Sequence, residues 1–245
     1  MNAIIIIANQ RIKIYGGYMQ MLWRKTGMSA AGVIVSGISV AVLKFAAFGV
    51  DPCQSAIFGI WDLTDMSYGT ASLIINSTLA VAGVIFAGRL LGISTIMIMF
   101  IQGYVIQYTY AGLMSVLDSS SVVFRMIFTL TGIVMMCFGN ALYAETGLGV
   151  SPYDWIAMHL AERSGKLSFR VCRIIVDASS VSLAVILFSV ANGSFMLPEV
   201  TGAVTIILAL ATGPLIDFFR KTLRRSMQPG YHGVESNMIY QRTRS

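Results

Sequence analysis

Six stretches of about twenty mainly apolar residues limit what this chain can fold into more than any motif does. They cover residues 27–47, 68–88, 94–116, 126–144, 174–191 (with a start nearer 168) and 200–218. A helix of that length just crosses the hydrocarbon of a bilayer. Composition agrees, since 56% of the 245 residues are hydrophobic and only 11% are charged. A soluble domain carries about 25% charged residues, and the mean hydropathy is +0.75. The expected class is an all-α membrane protein, a helical bundle with lipid as its main solvent.

Two shorter runs, 52–63 and 152–162, follow the first and fourth stretches, and each opens on a proline suited to a first helical position. They are too short to cross and are expected to be interfacial or re-entrant helices. The apolar run at 3–8 is shorter still, and charge follows it, so it is not read as a signal peptide.

The sequence repeats itself. Gly49-Val50-Asp51-Pro52 returns as Gly149-Val150-Ser151-Pro152, and Ser67-Tyr68 as Ser168-Phe169. Leu73-Ile74-Ile75-Asn76 returns as Ile174-Ile175-Val176-Asp177, and Gly92-x-x-Thr95 as Gly202-x-x-Thr205. Gln102-Gly103 then falls opposite Thr212-Gly213, and Gln107 opposite Asp217. The expected organisation is an N-terminal segment (1–26), two membrane repeats (27–120 and 121–220) and a basic, flexible tail (221–245). An odd number of crossings in each half would invert the second half against the first.

Charge placement reads as topology. Of seventeen Lys and Arg, Arg11, Lys13, Arg24 and Lys25 precede the first long stretch. Arg220, Lys221, Arg224, Arg225, Arg242 and Arg244 follow the last, and Arg163, Lys166, Arg170 and Arg173 form a cluster between. The excess of +6 fits cytoplasmic N- and C-termini and argues no nucleic-acid partner. With six crossings Arg125 falls on the wrong side; with eight, and parallel halves, Arg89 does. Charge leaves the two nearly tied, and length favours six. Cys53, Cys137 and Cys172 show neither a disulfide framework nor metal spacing, and Cys137 reads as a packing residue.

Polar groups inside hydrocarbon are costly and mark functional candidates. From Ser168 onward, Arg170, Arg173 and Asp177 share one helix face, and Arg173 can pair with Asp177. They form either a charged wall facing a substrate path or a structural ion pair, with Arg170 at the headgroups. Asn76 is the neutral counterpart of Asp177. Lys44 and Glu145 could pair across the repeat axis, though a snorkelling Lys44 is the simpler reading. Asp217 reads as a solvated helix end. Pro152 and Asp154 open the second short helix, whose N-terminus could face an anion. The helix could equally lie flat, with Tyr153 and Trp155 at headgroup level. His159 stands without a second ligand, and Gly202-x-x-Thr205 and Gly213-Pro214 read as packing and kink. No nucleophile–base set, phosphate loop or metal motif is present in the sequence, so no enzyme activity, cofactor or metal is expected.

The run Gly149-x-x-Pro152-x-Asp154, Ser168-x-Arg170-x-x-Arg173-x-x-x-Asp177, Gly202-x-x-Thr205, Gly213-Pro214 resembles YczE/YyaS/YitT-type bacterial membrane proteins, YczE-like members most. The resemblance covers about residues 27–220. It departs at Asp51-Pro52-Cys53-Gln54, where members show a Pro-Trp-Asp-like sequence, and at Asp177, where they more often carry Glu. It implies an inner-membrane location, no established substrate, and in some members an accessory role in biosynthesis. The expected function is a small-molecule permease of unknown substrate, or else a non-transporting accessory or scaffold protein, with the lipid bilayer and a small solute as partners.

Overall fold

The structure, a computed structural model, describes residues 2–87, 92–117, 121–192 and 201–227. The described residues form eight helices: α1 (Asn2–Ala46), α2 (Pro52–Asp62), α3 (Tyr68–Ala87), α4 (Ile93–Val116), α5 (Val122–Glu145), α6 (Asp154–Ser164), α7 (Phe169–Asn192) and α8 (Ala203–Met227). No strand occurs among them. Five are long and apolar enough to cross a membrane: α1 from Met19 onward, α3, α4, α5 and α7. The sixth expected crossing corresponds to α8, which does not end near Asp217 but runs on through Arg220 and Lys221 to Met227. Nor does a break precede residue 27, since α1 is helical from Asn2. Arg89, the 193–199 loop and the tail from 228 lie outside the described residues.

Polarity is turned inside out relative to a soluble protein. Ser29, Ser36, Gln54, Asn76, Gln102 and Asp177 are buried, while Ile85, Phe86, Val116, Leu130 and Val190 lie more than half exposed. Such a surface is stable only against lipid.

The seam of the bundle is α1 against α5. A Cβ at Gly32 would stand 2.7 Å from the Tyr143 nitrogen and 2.8 Å from the Gly139 oxygen. A Cβ at Gly132 would stand 2.8 Å from Leu43 and 3.4 Å from the Ser39 oxygen. Contacts that rise along α1 thus fall along α5, and the two helices run antiparallel. Glycine here lets backbone meet backbone, the small-residue packing that replaces hydrophobic drive within lipid.

Two tight turns lock onto distant helix starts in matching fashion. Gly49 has φ +119° and Gly149 φ +136°, a region that disfavours side chains. The turn at Phe48–Gly49 seats the start of α8: Val204 donates its N–H to the Phe48 oxygen at 3.1 Å. Likewise the turn at Leu148–Gly149 seats α4, where Ser94 N–H donates to the Leu148 oxygen at 3.2 Å. In each, the threonine three residues after the glycine accepts that glycine's N–H at 3.3 Å (Thr95 from Gly92, Thr205 from Gly202). The two Gly-x-x-Thr motifs, expected to pack helices generally, are sockets for the Gly-Val-x-Pro turns.

Arg125 also finds its explanation. Its guanidinium donates to the Ala46 oxygen at 2.7 Å and the Ala47 oxygen at 2.9 Å, capping the C-terminal end of α1. Carbonyls left over at a helix end favour a cation.

Candidate functional site

Burial of Asp177 on α7 is made tolerable by groups from a second helix. Arg173, one turn earlier, pairs with it at 3.2 Å, as their spacing predicts. Arg173 also pairs with Asp154 at the start of α6. Tyr153 donates its hydroxyl to Asp177 at 2.8 Å, lies 3.0 Å from the Ser180 hydroxyl, and places its ring under the Arg173 guanidinium. One cation thus serves two carboxylates, and the deeper one has a neutral donor as well. A buried charge with fewer partners would cost several kcal/mol, on the order given for uncompensated ions.

The second short helix is therefore not lying flat. Tyr153 and Trp155 are buried, and the Trp155 indole N–H donates to the Leu79 oxygen on α3 at 2.7 Å. Pro152 falls in the turn before the helix rather than at its first position, which Asp154 takes. Pro52 does open α2, with Asp51 capping it by accepting from the Cys53 N–H at 3.1 Å.

In the first half the corresponding positions are uncharged. Asn76 donates back to the Ser72 oxygen of its own helix at 2.9 Å, and Gln54 accepts from the Tyr68 hydroxyl at 2.5 Å. Both of these side-chain bonds are to neutral groups. Asn76 and Asp177 nevertheless both line one cavity of about 1110 Å³.

That cavity is lined both by residues between 36 and 102 and by residues between 136 and 220. Its deep wall carries buried Gln54, Asn76, Gln102 and Ser36, with Ser36 donating to Asn140 at 2.8 Å and accepting from Gln102 at 3.1 Å. Gln102 closes a π-helical turn (Ile98–Gln102) inside α4, a local irregularity common at functional sites. Toward the other end the wall includes exposed Arg170, Gly213 and Asp217, so the cavity opens there. Arg173, Asp154 and Asp177 line it between. Pockets for small molecules run to about 300–1,000 Å³, so there is room for one solute with water.

Of the residues expected at one site, the structure brings Arg173, Asp154 and Asp177 into contact, and Arg170 stands at the mouth. Lys44 and Glu145 do not pair. Lys44 lies over the rings of Phe58, Trp61 and Tyr110 at 4.0, 5.3 and 5.3 Å, a cation–π enclosure. Glu145 instead accepts from Arg220 at 3.2 Å and Arg224 at 2.5 Å. His159 lies against the Trp155 ring, 6.0 Å between centroids. Cys53, Cys137 and Cys172 are buried free thiols. Sequence reasoning missed Tyr153, Gln54 and the Ser36–Asn140–Gln102 set. Tyr153 was legible only as an aromatic beside Asp154 that could sit at headgroup level, and the others as polar residues inside apolar runs.

Fold and site define a helical membrane protein with a polar cavity that contains a buried ion-pair set. The chain belongs to a family of unknown function (DUF6198), whose model matches residues 23–221. It is similar to an uncharacterized protein of Haemophilus influenzae, 27% identical over 192 residues, which covers 78% of this chain and 81% of that protein. No solved structure matches.

Proposed function

We propose that this protein is a small-molecule transporter of the bacterial inner membrane, with its substrate path through the cavity between two inverted, duplicated halves. The observation that carries the reading is the Tyr153–Asp154–Arg173–Asp177 set in the wall of a cavity open at one end. Ionisable groups at such depth are costly and are found along solute and proton paths. The duplication is supported by the paired glycine sockets and by the antiparallel α1–α5 seam, which fits six crossings with inverted halves rather than eight with parallel ones. Both termini are then cytoplasmic. The motif likeness to YczE-type proteins supports a bacterial membrane setting.

The test compares metabolites inside and outside cells with and without the protein, untargeted, then repeats it with Asp177→Asn and Arg173→Gln. The expected result is a solute whose distribution depends on the protein and is lost in both variants, while the protein still inserts and purifies monodisperse. Unchanged distribution in both variants would remove the proposed path.

One observation favours a second reading. Arg173 is fully engaged by two carboxylates, as structural glue in a non-transporting accessory or scaffold protein would be. The charge-exchanged double variant Arg173→Asp with Asp177→Arg is a one-sided test of this second reading. Recovery of the cellular phenotype by the exchange would favour glue.

A further inference from the structure

The two halves differ in how their last two long helices meet. In the first, α3 and α4 are closed on each other: a Cβ at Gly103 would stand 2.6 Å from Ser72, and one at Gly69 would stand 2.4 Å from Tyr104. The closure ends in a hydrogen bond, with Gly69 N–H in the first turn of α3 donating to the Gln107 side-chain oxygen at 2.8 Å. That bond satisfies a backbone donor which a helix start leaves unpaired.

In the second half the same register is open. Gly213, opposite Gly103 in the repeat, has nothing within 4 Å of where its Cβ would stand. Arg170 is opposite Gly69 and Asp217 is opposite Gln107. Both are exposed at the cavity mouth, and no ion pair joins them. α8 still keeps its hold on α5, through Phe138–Phe219 and Arg220–Glu145. The gap therefore lies between α7 and α8 alone, and it is the mouth of the cavity.

We infer that Asp217 and Arg170 are the two jaws of a gate at this mouth: α8 closes on α7 until Asp217 reaches the first turn of α7, as Gln107 reaches that of α3. A carboxylate at a helix N-terminus is favoured by the dipole, and the Arg170 side chain adds an opposite charge. In the closed state Gly213 packs against Arg173 as Gly103 packs against Ser72. This rests on the transporter reading and extends it: the two halves exchange their open and closed arrangements, so the cavity is reached from one side at a time. The glycines at 103 and 213 permit the close approach in whichever half is shut.

The experiment is thiol crosslinking of the full chain in native membranes, independent of any substrate. The pair R170C/D217C and a second pair, R170C/P214C, which stands opposite Gly69 and Tyr104, are treated with a short bifunctional thiol reagent. Each single variant labelled with a small maleimide shows that its thiol is accessible and the protein folded. Crosslinking should exceed that of the single variants several-fold in both pairs. It should fall to their level when Gly213→Trp is added, because the indole fits the open gap and obstructs closure. Accessible thiols that never crosslink in either pair would overturn the gate, even if cells still show a transported solute. Crosslinking that Gly213→Trp abolishes, with no solute dependent on the protein, would keep the gate and remove the transporter reading.

Discussion

The Tyr153 hydroxyl donates to the Asp177 carboxylate at 2.8 Å across a separation of 24 residues. It ties the start of a short helix that does not cross the bundle to the middle of one that does. The contact places a neutral donor on the buried acid, on the same carboxylate oxygen that Arg173 approaches at 3.2 Å. Tyr153→Phe keeps the ring under Arg173 and removes only the donor. Hydrogen bonds between membrane helices average about 0.6 kcal/mol, and leaving a buried acceptor unmet raises the cost toward about 1–3 kcal/mol. A loss of about 1 kcal/mol is expected, read as a lower melting temperature in detergent, with transport reduced. An unchanged melt would mean that Ser180 or water replaces the phenol.

The charge exchange of Arg173 and Asp177 is expected to fail. An arginine at 177 cannot accept from Tyr153, and an aspartate at 173 would face Asp154, the other partner of the native Arg173. Helix-surface pairs that touch nothing else survive exchange, being worth about 0.2–0.5 kcal/mol each. Wild-type solute distribution in the exchanged variant would show that pairing alone matters.

Gly49→Ala and Gly149→Ala should each destabilise severely. Strain from a positive φ in a residue with a side chain costs about 1–3 kcal/mol. The new Cβ also meets Thr205 Oγ at 2.5 Å in one case and Thr95 Oγ at 2.7 Å in the other. Gly147→Ala is the control, with φ +65° and nothing within 4 Å. It should lose about 1 kcal/mol of strain alone. Melting and monodispersity after extraction rank the three, and equal behaviour would dissolve the socket argument.

Orientation can be read from two exposed loops. Gly59 on α2 meets Ala184 and Leu187 on α7, so the α2–α3 connection lies toward the far end of α7 from Arg170. Asp65→Cys and Lys166→Cys are both exposed and should label from opposite faces of the membrane, Lys166→Cys from the cytoplasm. Native thiols are buried and give little background. Labelling of both from one face would exclude the inverted arrangement.

Arg125→Ala should lower stability by about 1.5–3 kcal/mol, the range for hydrogen bonds to a charged group. It uncaps the carbonyls of Ala46 and Ala47. Arg125→Lys should recover only part, because an ammonium lacks the planar fork that spans both oxygens. Full recovery by lysine would reduce the cap to a matter of charge.

The sequence alone settled what depends on neighbours along one helix. Apolar runs of membrane length appear as helices, and Arg173 pairs with Asp177 because residues four apart share a face. The short helix after Pro52 was equally plain, since a fixed φ and a missing donor suit its first turn. Tertiary structure decided what depends on which helices meet. Asp154 is 19 residues from Arg173, and Glu145 is 75 from Arg220; nothing in local spacing could choose those partners over Lys44 for Glu145. The glycine motifs were visible as similar sequences, but only the folded chain brings the Phe48–Gly49 turn to Gly202 and the Leu148–Gly149 turn to Gly92. The open mouth between α7 and α8 was least legible of all. Gly103 and Gly213 are the same residue in the same register, and only their surroundings make one a closed contact and the other a gap.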